Sequence, residues 1–383
     1  MRSRSPGCPR TGLRWPCSLA RTSPARRPPG TPAGSLSTVA VLPPTEDPER
    51  GGTGRLLVRL SNWLGDVLLA RPLLHALRRA LPEAEVAAVG PAALLELLRA
   101  DRTIDRAEAW PAPGGGREDL ARRLRAWRPT AAVVLPPSFS SALFAWQTGA
   151  PVRIGFRGEW RDALLTHPFL RPARGELHLS GEYLALGGPL GAAAGPLPAL
   201  EPPPEARERA AELLSRRGLK GAPYAILGPG ASYGPAKRWA AERFAALGRA
   251  LAGRGLGVLV CGNGAERELC LNVAAEVGGG ALALAGETDL GLQAGLCEGT
   301  AVAVCNDSGL AHLSASTGAP TVVIFGSTSS AWTAPLGPRV RIVQRAPVCA
   351  PCFRRTCRIG YRCLTAVEVG EVWRACAEAG AAT

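Results

Sequence analysis

The sequence predicts an α/β protein built as two Rossmann-like domains that face each other across a cleft. Three observations carry this. Short apolar runs alternate with helix-length stretches, the pattern of parallel sheets covered on both faces. The alternation occurs twice, on either side of a segment rich in Gly, Pro and Ala at 187–204. In each half one strand runs straight into a tight turn and a helix, where α/β proteins place their ligands. These two turns are Ser61-Asn62-Trp63-Leu64-Gly65-Asp66 and Asn306-Asp307-Ser308-Gly309-Leu310-Ala311-His312.

Order is expected from about Arg55. A strand at 56–60 precedes a helix carrying Val67, Leu68, Leu69, Leu73, Leu74 and Leu77 on one stripe, with Pro72 as a kink. A second strand spans 85–89 and a helix 91–98. A buried strand at 131–135 is followed by a helix at 138–146. After the 187–204 linker the second set begins. It comprises a strand at 224–227, a helix at 240–253, a strand at 257–261 and a helix from about 265. A strand at 301–305, a helix at 309–317 and a strand at 321–325 complete it. Gly318 suits the residue after that helix, since glycine accepts the left-handed conformation. The expected domains are therefore 53–200 and 201–383, preceded by an extension at 1–52.

The 383 residues suffice for two domains. No apolar run reaches the roughly 18–20 residues of a membrane span. The net charge is +14, and half of it comes from seven Arg in residues 1–45, which hold no Lys, Asp or Glu. That extension is rich in Arg, Pro, Ser and Gly and is expected to be disordered. Its composition also resembles a transit peptide. An untranslated stretch behind an early-assigned start codon is a third reading. The basic excess admits anionic partners. Near-absence of lysine, and of basic blocks interleaved with aromatics, argues against nucleic acid. Eleven Cys in a chain of this size, with no apolar leader, read as mostly reduced cytoplasmic thiols.

Asp66 opens a helix after a glycine turn. It either caps that helix or, kept ionised by the helix N-terminus, accepts a proton from a hydroxyl. The loop 229–239, Pro-Gly-Ala-Ser-Tyr-Gly-Pro-Ala-Lys-Arg-Trp, pairs a glycine turn with cations just past a strand. Ser232, Lys237 and Arg238 there suit phosphate, although the Gly-Lys-Ser/Thr ending of a Walker A loop is missing. Asp307-Ser308-Gly309 opens a helix whose amides suit a pyrophosphate. Asp307 could instead cap that helix. His312, one turn in, reaches the ligand or fills the core. Cys349, Cys352, Cys357 and Cys363 lie within fifteen residues and are candidate zinc ligands, with a disulfide or free thiols as alternatives.

With these residues in hand, the chain resembles glycosyltransferase family 9, the heptosyltransferases of lipopolysaccharide core synthesis, and most of all their type II branch. The likeness runs from about Arg55 to Val372. It rests on SNWLGD at 61–66, LPPSFSSAL at 135–143 and GFRGEWRDALL at 155–165. PGASYGPAKRW at 229–239, LAGETDL at 284–290 and NDSGLAHLSA at 306–315 complete it. The resemblance implies a GT-B fold with the acceptor on the N-terminal side and the donor on the C-terminal side. It implies inversion at the anomeric carbon, no catalytic metal and no cofactor beyond an ADP-sugar donor. By motif, Asp66 is the base, and Ser232 and Lys237 contact donor phosphates. Asp307, Ser308, Gly309 and His312 line the donor site, and Glu266, or Glu268 two residues on, binds ribose. The acceptor implied is a lipid-linked core oligosaccharide reached from the cytoplasm at the inner membrane surface. Arg153, Arg157 and Arg161 around GFRGEWRD are expected to form an acceptor-facing patch, with a solvated arginine surface as the alternative. A family member using another nucleotide sugar, or a non-catalytic sugar-nucleotide binder, are the alternatives. The basic extension lies outside the family core, and segment 349–363, which does not align with the best-known heptosyltransferases, resembles cysteine-bearing segments of other members and is expected to reshape the acceptor side.

Overall fold

Two six-stranded, all-parallel sheets form the frame of the computed structural model, which describes residues 54–380 apart from Pro113 and Glu159. The predicted disorder of 1–52 falls outside the described residues.

The first sheet contains β1 (Arg55–Arg59), β2 (Glu85–Gly90), β3 (Arg106–Ala109), β4 (Ala131–Val134), β5 (Val152–Phe156) and β6 (His167–Phe169). Its helices are α1 (Leu64–Leu69), α2 (Arg71–Ala80), α3 (Ala92–Ala100), α4 (Arg117–Trp127), α5 (Phe139–Gln147) and α6 (Leu179–Leu186). After α7 (Pro204–Arg216) the second sheet begins with β7 (Tyr224–Gly228), β8 (Gly257–Val260) and β9 (Leu282–Ala283). It continues with β10 (Val302–Asn306), β11 (Thr321–Phe325) and β12 (Val340–Gln344). Helices α8 (Ala241–Ala252), α9 (Arg267–Val277), α10 (Leu290–Glu298) and α11 (Gly309–Ser316) cover it. Short α12 (Ser330–Thr333) and α13 (Arg362–Thr365) and terminal α14 (Val369–Glu378) follow.

The strand orders are β3-β2-β1-β4-β5-β6 and β12-β11-β10-β7-β8-β9. Read from β9, the second is the same doubly wound order as the first. In such a sheet the chain reverses direction at the first and fourth strands, and a crevice opens beyond their carboxyl ends. Here those strands are β1 and β4 in one half, β7 and β10 in the other. The two motifs singled out above, and loop 229–239, all leave these strands.

Burial explains the strands: β4, β7, β10 and β11 are buried throughout, as central strands of a sheet covered on both faces must be. Pro72 does more than kink a helix. The chain breaks at Ala70, and Pro72 sits in the first turn of α2, where its missing N–H costs nothing. Ser138 caps α5 as a side-chain acceptor for the Ser141 N–H. Gly318 takes the left-handed conformation after α11, with φ of +82°. The segment read as a linker is extended but anchored. Pro198 O accepts from Arg71 at 2.9 Å, and Ser316 O accepts from Leu200 N at 2.7 Å.

Arg71 also makes a bidentate pair with Asp101, at 2.7 and 2.6 Å, and both side chains are buried. Stripping the partner from a buried guanidinium is expensive, unlike breaking an exposed pair. Asp101→Ala should therefore lower the unfolding free energy by about 3–5 kcal/mol in a urea titration. Arg122→Ala, which breaks the exposed pair with Asp119, should change it by less than about 1 kcal/mol.

Candidate active site

The carboxyl ends of β1, β7 and β10 converge on one cavity of about 750 Å³ between the halves. It is lined from the first half by Ser61, Trp63, Gly65, Asp66, Arg171, Arg174 and Tyr183. From the second come Ser232, Lys237, Glu266, Asp307, Ser308, Gly309 and His312. The structure thus brings together Asp66 and all seven residues expected to bind the donor.

Asp66 is not a cap. The N-cap of α1 is Trp63, and Asp66 lies in the first helical turn with its carboxyl facing the cavity. Burial pushes its pKa up to about 6, against the pull of Arg171, Lys237 and a hydrogen bond from Ser61; Asp307 adds to the rise. Such a carboxylate is a stronger base than one in water and still ionised at neutral pH.

Helices α1 and α11 meet closely. A Cβ on Gly65 would fall 2.8 Å from the His312 ring, and one on Gly309 would fall 3.1 Å from Leu64. Each helix start carries a glycine where the other seats a side chain. His312 is buried, and its Nδ1 has no hydrogen-bond partner among the described residues. Burial pushes its pKa down to about 4, opposed by Asp307 and assisted by Lys237 and His178. The imidazole is neutral at neutral pH.

Asp307 does not cap α11 either; the N-cap is Ser308. The Asp307 carboxylate is buried, pairs with Lys237 Nζ at 2.6 Å and accepts from Thr328 Oγ1 at 2.5 Å. Asn306, fully buried, ties loop 229–239 to the end of β10. Its Oδ1 accepts from Trp239 N at 2.9 Å and its Nδ2 donates to Pro229 O at 2.7 Å. Ser232 Oγ accepts from Asn263 Nδ2 at 3.0 Å.

Glu266 and Glu268 differ in placement. Glu266 lines the cavity and is buried, whereas Glu268 is exposed. Glu266 Oε2 accepts from Asn263 N at 3.0 Å, and Oε1 is buried with no partner among the described residues. A Cβ on Gly230 would collide with this carboxyl at 2.2 Å, so that turn must be glycine. An unmatched carboxylate oxygen inside a cleft suits a ligand hydroxyl.

Two expectations are corrected. Arg153, Arg157 and Arg161 form no common patch, and none lines the cavity. Arg161 is fully buried and donates to Pro136 O at 2.5 Å. Arg153 donates to Leu164 O and Ala150 O, and Arg157 pairs with Asp162 at 2.8 Å. The cations on this side of the cavity are instead Arg171 and Arg174, packed on Trp332 at 5.8 and 5.4 Å. Nor do the four thiols assemble as zinc ligands: among the described residues no group of three or more His, Cys, Asp or Glu could hold a metal. Cys349 and Cys352 are exposed and Cys363 is buried. Cys357 Sγ accepts from Ile359 N and Tyr361 N at 3.4 and 3.3 Å, which holds its pKa below the usual thiol value.

The cysteine segment packs on loop 229–239. Arg355 Nε donates to Tyr233 O at 2.7 Å, Arg355 O accepts from Ala236 N at 3.0 Å, and Tyr233 donates to Phe353 O. Phe353 reaches the cavity and stacks edge-on to Trp332. Sequence reasoning missed Tyr183, Trp332, Phe353 and Thr328. Each lies outside the assigned motifs and reaches the cavity only through long-range packing.

The arrangement sets one basic carboxylate opposite an ammonium, helix-start amides and an acceptor for ligand hydroxyls. It suits removal of a proton from a hydroxyl on one side while an anionic group is held on the other.

Comparisons with known proteins agree with this layout. A family model described as glycosyltransferase family 9 (heptosyltransferase) matches residues 117–362. Lipopolysaccharide heptosyltransferase 2 of Escherichia coli K12 is 30% identical over 305 residues, covering 76% of this chain and 88% of that protein. The structure of E. coli ADP-heptose lps heptosyltransferase II superposes with a TM-score of 0.72 at 28% identity, covering 85% of this chain and 98% of that one. A family 9 glycosyl transferase from Veillonella parvula shares the fold with a TM-score of 0.76 at 22% identity, over 86% and 97% of the two chains.

The buried imidazole gives a direct check on this geometry. In an NMR titration of the folded protein, His312 should titrate near pH 4, well below the roughly 6.5 of a histidine in water. A midpoint at 6 or above would mean that the ring is solvated and the α1–α11 contact open.

Proposed function

The chain belongs to glycosyltransferase family 9, and on that premise we propose that it moves a heptosyl group from ADP-heptose to the inner core of lipopolysaccharide. The observation that carries this reading is a single raised carboxylate, Asp66, facing an anion site across one cleft. The protein named in the structural comparison is an ADP-heptose lipopolysaccharide heptosyltransferase, and the relative at 30% identity is a lipopolysaccharide heptosyltransferase.

In this reading residues 53–200 hold the acceptor and residues 201–383 the donor. Asp66 takes the proton from the acceptor hydroxyl as its oxygen attacks the anomeric carbon. The glycosidic bond to the diphosphate breaks on the opposite face, so configuration inverts. Charge developing on the leaving ADP is met by Lys237 and the Ser308 and Gly309 amides. Asp307 and Thr328 hold Lys237 in place. Ser232 completes the phosphate contacts, neutral His312 packs beside them, and Glu266 Oε1 accepts from ribose hydroxyls. Arg171 and Arg174 are the cations that meet an anionic acceptor.

Cations and helix amides supply the charge stabilisation that a divalent ion provides in other transferases. We therefore read the reaction as metal-independent. Among the described residues no helix is long and apolar enough to cross a membrane. A lipid-anchored acceptor would then require the enzyme to visit the membrane surface from the cytoplasm.

Asp66→Asn should cut kcat by at least about 1,000-fold while changing the affinity for ADP-heptose, read by calorimetry, by less than about threefold. Near-normal turnover would remove Asp66 as the base. For the wild type, kcat/KM should fall as pH drops through about 6, where Asp66 takes up its proton. Turnover should persist in excess EDTA; loss restored by Mg²⁺ or Mn²⁺ would contradict metal independence. A panel of nucleotide sugars assayed with one acceptor checks the donor, and strong preference for a different nucleotide sugar would replace ADP-heptose in this account.

A further inference from the structure

Helix α6 buries Leu179, Glu182, Tyr183 and Leu186, an i, i+3, i+4, i+7 stripe that normally carries only apolar side chains. Glu182 stands in that stripe with a side chain that is 0% exposed. A carboxylate in such a place is costly unless both oxygens are matched. They are. Oε2 accepts from Arg171 Nε at 2.7 Å, and Oε1 accepts from Trp332 Nε1 at 2.6 Å. Arg171 comes from the first half and lines the cavity with Asp66; Trp332 comes from α12 of the second half. The next residue, Tyr183, is also buried, and its hydroxyl lies 3.2 Å from Ser61 Oγ. Ser61 and Asp66 both line the cavity, and either hydroxyl can be the donor in the Tyr183–Ser61 bond; with Ser61 turned to the carboxylate, Tyr183 is its donor.

We propose that Glu182 and Tyr183, neighbours on α6, are positioning residues for the base: Glu182 acts on Asp66 through Arg171, and Tyr183 acts on it through Ser61. Neither touches the reacting atoms. Glu182 fixes where the Arg171 charge sits and offsets part of it. Tyr183 orients the Ser61 hydroxyl toward the carboxylate. Because Trp332 belongs to the other half, Glu182 has both partners only when the halves are closed on each other. His178, the N-cap of α6, makes a second link across the cleft, to Ala334 O at 2.9 Å. The field on the base is thereby tied to closure.

Other groups face Asp66 as well. Lys237, Asp307 and His312 approach from the second half, while Ser61 and Arg171 belong to the first. The experiment must therefore isolate the α6 pair. Arg171 also rests over the Phe156 and Trp332 rings, at 5.1 and 5.8 Å. When Glu182 becomes Gln, the amide oxygen still accepts from Arg171 Nε and the two rings still hold the guanidinium, while the amide nitrogen gives up the bond from Trp332 Nε1.

The inference rests on the reading of Asp66 as base, and the pH dependence of kcat/KM separates the two. Arg171→Gln removes a cation from beside Asp66 and should move the acidic limb up by about one pH unit. Glu182→Gln leaves that cation without its offset and should move the limb down. Tyr183→Phe should move it up by a smaller step. A limb that stays put in all three, with activity lost equally at every pH, would mean purely structural roles and overturn the proposal. So would Arg171 and Glu182 variants that move the limb the same way. If Glu182→Gln does not fold, Arg171→Gln and Tyr183→Phe decide alone: upward shifts support the proposal and an unmoved limb overturns it. Absence of any acidic limb in the wild type would instead refute the base assignment.

Discussion

Everything at this site depends on how closely α1 and α11 approach. Gly65 lies under the His312 ring, and Gly309 lies under Leu64. The exchange is reciprocal, so neither glycine can gain a side chain without pushing the halves apart. One contact has two electrostatic consequences. It removes Asp66 from water, which raises a carboxylate, and it removes His312 from water, which lowers an imidazole. Both groups move toward their neutral forms by the same cause. A stronger base and an uncharged donor-side ring result, with no dedicated partner needed for either.

The second half holds its anion site in a more conventional way. Lys237 enters with a partner already in place, the buried Asp307, itself held by Thr328. The pair places the ammonium without leaving an uncompensated cation in the cleft. Asn306 then fixes loop 229–239 to the end of β10. The cysteine segment braces the loop from outside through Arg355 and Phe353. The flexible-looking turn Gly-Ala-Ser-Tyr-Gly is thereby rigid, as preorganised stabilisation of a leaving group requires.

Much of this was legible in the sequence because local rules decided it. Strands β1, β2, β4, β7, β10 and β11 each carry an apolar core of at least three residues. The turns after β1, β7 and β10 carry their polar groups at helix starts. Pro72 was misread because a proline inside an apolar stripe marks either a kink or a new first turn, and only the break at Ala70 tells them apart. The arginines around GFRGEWRD were misplaced because charge alone does not reveal direction: Arg161 turns inward to a backbone carbonyl. The thiols at 349–363 share a short stretch of chain, but the path between them does not bring them into one ligand set. Arg171, Tyr183, Glu182 and Trp332 gave no local warning. Their importance arises from contacts up to 150 residues apart, which no spacing rule reports.

The proposed reaction is a single displacement with one base and one leaving diphosphate on opposite faces of the sugar. The anomeric configuration of the product tests it most directly. The purified protein would be given ADP-heptose and a lipopolysaccharide core acceptor, and the new linkage read by NMR from its anomeric coupling. One heptosyl group should be added, with configuration inverted relative to the donor. A product with retained configuration, or release of free heptose with no transfer to the acceptor, would contradict it.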